Sequence, residues 1–284
     1  MDLQIVRTID EATRAFQRVR LDGKRLAFVP TMGFLHEGHL SLMREGRRRA
    51  EVVAVSIFVN PTQFGPREDL SRYPRDLQGD AEKCESAGVG MLFAPPADAM
   101  YPEGFQTFVE VTEVSRGLCG EKRPGHFRGV ATVVAKLFNI VRPDVAVFGE
   151  KDYQQLQVIK ALNRDLCFGI EIVGAPTVRE PDGLAMSSRN SYLSPSERAQ
   201  ALSLSRGLRK AQQLARSGVL EARELVRAVR RELEAAGVRE DYVEVVDAST
   251  LEPLARCEPG RPARALVAAY VGQTRLIDNV PLNG

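Results

Sequence analysis

Residues 25–42 read RLAFVPTMGFLHEGHLSL, and this stretch decides the fold. A short β-rich run, RLAFVP (25–30), is followed by a Gly-bearing turn. A helical pattern then starts near His36 and continues through HLSLMREGRRRAE. The next segment, VVAVSIFVN (52–60), is a continuous apolar run of the kind buried on both faces of a parallel sheet. The alternation extends in both directions. A helix is predicted over Asp10–Leu21, another over about Leu77–Ala87 ahead of VGMLFAP, and a third in ATVVAKLFNIV feeding the strand DVAVFG (144–149). YQQLQVIKALNRDL then reads as a helix before GIEIVGAP. Strand, helix, strand, repeated, predicts an α/β fold: a Rossmann-like parallel sheet with right-handed connections.

Past Pro176 the pattern changes. Ser194-Pro195-Ser196-Glu197 is a capping box with proline at the first helical position, opening a helix to about Arg216. A second helix covers Glu221–Ala236 and stops at Gly237, a natural C′ residue. YVEVVDAS and RALVAAYVG then read as two strands, with a turn at 256–264. Two domains are expected: residues 1–176, Rossmann-like, and residues 177–284, a smaller α+β domain.

The 284 residues are 44% hydrophobic and 27% charged, the composition of a soluble globular chain and not of a disordered or collagen-like one. A net charge of +2 gives no overall field for nucleic acid. The four cysteines, Cys84, Cys119, Cys167 and Cys257, lie far apart with no C-x-x-C; buried or half-buried thiols in a reducing compartment are expected. No apolar run is long enough to span a bilayer, and the N-terminus lacks a signal peptide's apolar stretch, so a cytoplasmic location is expected.

Two of the three histidines, His36 and His39, stand three residues apart in the segment after the 25–30 strand, and on a helix both rings project from one face. That helix start sits at the strand's carboxyl end, where open α/β sheets bind ligands and where a helix N-terminus attracts phosphate. Gly33 and Gly38 permit close backbone approach. Imidazoles there can donate to phosphate oxygens as charge develops. The alternatives are two capping or surface histidines, or a zinc site for which no partner ligand lies nearby.

A second cluster, Gly149-Glu150-Lys151-Asp152, follows the 144–149 strand and suits ribose and phosphate; a charged loop without function is its alternative. A third, Ala185-Met186-Ser187-Ser188-Arg189-Asn190, offers hydroxyls and a guanidinium to a triphosphate; its alternative is a polar interdomain loop. H-x-G-H near the first strand, then an M-S-S-R-like loop, is similar to the arrangement of the nucleotidyl-transfer α/β superfamily, which includes class I aminoacyl-tRNA synthetases. With alanine at 185 and serine at 188, Arg189 and Lys151 have to supply the positive charge.

Along essentially its whole length the chain resembles the pantothenate synthetase (pantoate–β-alanine ligase) family. The stretches that carry the resemblance are PTMGFLHEGHLSL (30–42), FVNPTQFGPREDLSRYPRD (58–76), RPGHFRGVATVVAKLFNIVRPDVAVFGEKDYQQL (123–156) and AMSSRNSYLS (185–194). The resemblance implies ATP-dependent condensation of pantoate with β-alanine through pantoyl adenylate, releasing AMP and pyrophosphate. It implies that His36 and His39 face the phosphates, with His39 as proton donor. Met32, Gly33, Phe34, Leu35, His36, Glu37, Gly38 and His39 would line the ATP site. Gly149, Glu150, Lys151 and Asp152 would reach ribose and phosphates, Val178 the adenine by its backbone, and Met186, Ser187, Ser188 and Arg189 the triphosphate. The catalytic set is then His39, His36, Lys151, Ser187, Ser188 and Arg189, with Gln63 and Gln155 binding pantoate and Gln63 near β-alanine. Mg²⁺ would travel with ATP, held mainly by phosphate oxygens, with no protein metal site. The third histidine, His126, either belongs to a loop over the site or pins that loop structurally.

The family also implies a homodimer, and a second domain acting as a lid over a water-sensitive intermediate. Two competing readings stand beside this one. The first is a nucleotidyltransferase of the same superfamily acting on another small acid or phosphate. The second is a nucleic-acid-binding or tRNA-charging protein, against which the charge balance and the lack of an anticodon-sized domain both argue.

Overall fold

A computed structural model describes residues 3–66 and 68–282. The chain divides into two compact units, Met1–Ser115 with Arg123–Glu150 and Val158–Pro176, and Arg116–Lys122 with Lys151–Gln157 and Thr177–Gly284. Two short segments ahead of residue 176 therefore group with the second unit, which a single cut at 176 does not separate.

In the first unit β1 (Gln4–Val6), α1 (Ile9–Leu21), β2 (Leu26–Thr31), α2 (Glu37–Arg47), β3 (Val52–Ile57), α3 (Leu77–Ser86), β4 (Met91–Phe93) and the single turn α4 (Ala97–Met100) follow in order. After α5 (Leu118–Lys122), which groups with the second unit, come α6 (His126–Val141), β5 (Val145–Gly149), α7 (Tyr153–Asp165) and β6 (Glu171–Ala175). The six strands form one parallel sheet in the order β1-β4-β3-β2-β5-β6. Val and Ala on β2, β3 and β5 pack into a core shared with Leu42 and Met43 of α2 and Cys84 of α3. From β2 the chain builds outward through β3 and β4, then returns to lay β5 on β2's other edge. The strand order reverses between β2 and β5, and the carboxyl ends of those two strands flank the crevice where such sheets take ligands.

The second unit packs α8 (Pro195–Arg216) and α9 (Ala222–Ala235) with a three-stranded antiparallel sheet, β7 (Arg239–Asp247), β8 (Ala263–Val271) and β9 (Thr274–Pro281). Ser194 caps α8 reciprocally with Glu197, as the sequence predicts. Strands β1 and β9 and the short helices α4 and α5 are not foreseen by the sequence pattern, and α6 begins five residues before the predicted ATVVAKLFNIV run. All four cysteines are free; Cys84, Cys119 and Cys257 are buried, whereas Cys167 is exposed, against the expectation of burial.

Candidate active site

The first site element is the turn between β2 and α2. Gly33 and Phe34 both have positive φ, 83° and 51°. For Phe34 this left-handed conformation costs about 1–2 kcal/mol, so the surroundings must hold it. Thr31 Oγ1 accepts from Gly33 N–H at 3.1 Å and donates to Ser56 O at 2.8 Å, tying the turn's entry to β3.

His36 is the N-cap of α2 and forms a reciprocal box with His39. Its Nδ1 accepts from Gly38 N–H at 3.2 Å, while His36 N–H donates to His39 Nδ1 at 3.3 Å. A nitrogen that accepts from an amide carries no proton, so both neutral rings are Nε2–H tautomers. The ring centroids lie 4.1 Å apart. The helix start therefore spends the Gly38 amide on an imidazole and presents side-chain donors instead. Glu37 is exposed and ion-paired with Arg44 on its own helix.

Gln63 lies in a 3₁₀ turn, Pro61–Gln63, capped by Asn60. Gln63 is 9% exposed; its Oε1 accepts from Asn60 Nδ2 at 3.1 Å and Nε2 sits 3.1 Å from Met32 Sδ, so the structure brings Gln63 and Met32 together. Asn60 Nδ2 also donates to Gly129 O at 3.1 Å. A Cβ on Gly129 would lie 2.4 Å from Thr62 O, so only glycine lets α6 seat this close against the turn. His126 Nδ1 lies 2.9 Å from Gln63 O, and a carbonyl only accepts, so Nδ1 carries the proton. Its Nε2 then accepts from Arg123 at 3.0 Å, and Arg123 grips Glu68 with two bonds of 2.6 and 2.7 Å. Burial pushes the Glu68 carboxyl up, but the Arg123 bonds and charge outweigh it and leave the group below its ordinary range. His126 thus holds the Gln63 backbone.

In the second unit, Lys151 Nζ lies 3.6 Å from Asp152 Oδ2, and the Lys151 carbonyl accepts from Asn279 Nδ2 at 2.9 Å. Gln154 is buried and bonded to Cys119 N–H and to the carbonyls of Arg116 and Gly117. Its neighbour Gln155 is half-buried. Met186 N–H donates to Val178 O at 3.0 Å, closing a small hairpin, so one lone pair of the Val178 carbonyl is already used. Ser187 caps the turn Ser188–Tyr192 by accepting from Arg189 N–H at 3.3 Å. Lys151, Ala185, Ser187, Asn190 and Asp278 line a common cavity of about 10 Å³, room for one water. Two expected clusters, Lys151 and the 185–190 loop, thus meet within this unit.

Asn60, Arg123 and Glu68 escape the sequence reading; Asn60 ahead of Pro61 is a legible turn start, but nothing in one dimension ties Arg123 to Glu68. Among the described residues no group of three or more His, Cys, Asp or Glu side chains converges as a metal cage.

A parallel α/β sheet with an H-x-G-H helix start beside its reversal point is the arrangement of the nucleotidyl-transfer class. Comparison with known proteins narrows the class. The profile described as pantoate-beta-alanine ligase matches residues 4–281. A pantothenate synthetase of Myxococcus xanthus is 69% identical over 281 residues, covering 99% of this chain and 96% of that protein. A solved pantothenate synthetase from Thermus thermophilus superposes with a TM-score of 0.94 at 48% identity, covering 99% of this chain and 100% of the other. The Francisella tularensis pantoate-beta-alanine ligase, solved with beta-gamma ATP and beta-alanine, has a TM-score of 0.82 at 34% identity, with 98% and 97% covered. The chain belongs to the pantoate–β-alanine ligase family, and it is a ligase.

Proposed function

We propose that this enzyme condenses (R)-pantoate with β-alanine to give pantothenate, AMP and pyrophosphate, with ATP as its Mg²⁺ complex a substrate. A carboxylate is a poor acyl donor because its leaving group would be oxide. In the first step a pantoate carboxylate oxygen attacks the α-phosphorus of ATP, the bond to the bridging oxygen breaks, and pyrophosphate leaves. In the second, the β-alanine amine attacks the acyl carbon, AMP departs, and the amine gives up its proton. The observation that carries the reading is the reciprocal His36–His39 box at the carboxyl end of β2, whose Nε2–H groups suit phosphate oxygens that gain charge.

His39 acts as proton donor to the departing pyrophosphate, with His36 beside it. Lys151, Ser187, Ser188 and Arg189 hold the triphosphate, Gly149 through Asp152 the ribose and phosphates, and Val178 the adenine through its backbone. Gln63 and Gln155 orient pantoate; neutral amides do so without quenching the attacking carboxylate. Residues 1–176 supply most of the ATP and pantoate contacts, and residues 177–284 act as a lid that keeps water from the adenylate. A homodimer in the cytoplasm completes the reading; among the described residues no helix is long and apolar enough to cross a membrane.

The test is pyrophosphate exchange into ATP with pantoate, with and without β-alanine. Pantoate-dependent exchange alone, then AMP and pantothenate once β-alanine is added, is expected. Exchange without amide would favour a nucleotidyltransferase, and no exchange with pantoate would mean a different acid.

A further inference from the structure

Behind the β2–α2 turn lies a carboxylate that the reaction does not use. Asp80, on α3, is 1% exposed. Its Oδ2 accepts from Phe34 N–H and its Oδ1 from Leu35 N–H, each at 2.7 Å. A Cβ on Gly33 would lie 2.9 Å from the same Oδ2 and 2.9 Å from Ile57 Cγ2, so the loop is pressed onto the acid. Lys83 Nζ, a cation on the same helix, is 3.9 Å away. Burial pushes this carboxyl above its ordinary range, while the two amides pull the other way. Consecutive backbone N–H groups flanking a left-handed residue make a concave nest for an anion; in glycine-rich nucleotide loops that anion is a phosphate. Here a side chain of the protein fills it.

We propose that Asp80 is a positioning residue for adenylation: its carboxylate is a built-in anion that locks residues 33–35 before nucleotide arrives and leaves the phosphates to the imidazoles of His36 and His39. Three observations support this assignment together. The acid is buried beyond the reach of solvent, it meets two consecutive amides, and it faces a turn whose backbone is left-handed at both Gly33 and Phe34. The inference rests on reading His36 and His39 as phosphate-facing.

Four variants test it by pyrophosphate exchange. In Asp80→Asn one amide of the turn meets an NH₂ group, and in Asp80→Ala the nest is empty. Gly33→Ala pushes on the same contact from the loop side, and His39→Ala reports on the site itself. Asp80→Asn should raise the KM for ATP or lower the exchange rate by about tenfold or more, the loss of an ionic hydrogen bond, while the KM for pantoate moves less than about twofold. Formate or acetate should restore exchange to Asp80→Ala and not to His39→Ala, because a small carboxylate can re-enter the nest; a merely structural aspartate gives no such anion-specific recovery. Should Asp80→Ala fail to fold, the near-isosteric Asp80→Asn carries the test, with the same selective loss in ATP use expected. Folded Asp80 variants with wild-type ATP parameters beside a slow His39→Ala would overturn the proposal while sparing the site. Wild-type exchange in His39→Ala would overturn the phosphate-facing reading and this proposal with it.

Discussion

At the scale of single residues, the histidine pair does two jobs with one geometry. By capping α2 for each other, His36 and His39 fix their own tautomers, so the nitrogen left protonated on each ring is Nε2. His39→Ala removes both a donor and half of the cap. Adenylation should fall on the order of 100-fold or more, as for loss of one transition-state donor, and a near-wild-type exchange rate would take this histidine out of the mechanism. Gln63 poses a different case, because its amide is buried and oriented by Asn60 and Met32. Gln63→Ala should raise the KM for pantoate several-fold more than that for ATP, since an unpaired polar pocket penalises its own ligand; equal effects on both substrates would contradict the pocket assignment. The histidine spacing is legible in the sequence because a helix's N-cap and N3 positions stand three residues apart, although His36 is extended backbone just outside α2 and the pair meets through the cap, not through a shared helical face. Two partners of Gln63 are not, since His126 and Arg123 reach its carbonyl through the seating of α6, which no local pattern encodes; Asn60, three residues ahead in the same turn, is local.

Among elements, the parallel sheet is readable because its strands are short apolar runs between amphipathic helices. β9 is hidden for a physical reason: its polar residues Asp278 and Asn279, on opposite faces of the strand, are both buried and satisfied. Asp278 binds Arg179 with two bonds, and Asn279 meets Arg264 and the Lys151 carbonyl, so the apolar alternation that marks a strand is broken. The early start of α6 is hidden too, because Gly125 enters the helix at φ 82° with no side-chain cap. That first turn of α6 meets the 61–63 turn at Gly129, where an added methyl has no space. Gly129→Ala should destabilise the fold by about 1–3 kcal/mol, against the usual helical preference for alanine, and weaken pantoate use together with it. Urea titration checks the first and steady-state kinetics the second; a stabilised variant would mean that α6 can shift. Asp247, at the end of β7, makes a prediction about pH. Arg261, the Ser249 hydroxyl and the amides of Thr250 and Ser249 hold its carboxyl well below the usual range. A depressed folded value contributes stability that is present above the unfolded value of about 3.9 and is lost as pH falls through the folded one. The gap in urea midpoint between wild type and Asp247→Asn should therefore be widest near neutrality and narrow steadily in acid. A gap that stays constant down to about pH 2 would sink the assignment.

For the whole molecule, a linear reading gives one boundary, after residue 176, because composition and periodicity change there. What it misses is that Arg116–Lys122 and Lys151–Gln157 belong with the later residues. Their attachments are specific. Cys119 Sγ lies 3.2 Å from Tyr242 Oη and 3.4 Å from Arg275; Tyr153 donates to Ala248 O at 2.8 Å beneath the Arg264 guanidinium, 3.7 Å from the ring centroid. Asn279 holds the Lys151 carbonyl. A fragment ending at residue 176 keeps both segments and loses every one of these partners. Each neutral hydrogen bond is worth about 1 kcal/mol and a desolvated cation–π contact about 2, against a total stability of about 5–15 kcal/mol for a typical domain. The fragment 1–176 should therefore unfold with a lower urea midpoint and reduced cooperativity. It should also bind a hydrophobic dye that full-length protein does not, because Leu118 and Tyr153, both buried in the intact chain, become exposed. A dye-silent fragment with one sharp transition would show that residues 1–176 stand alone and that the two segments take no stability from the rest of the chain.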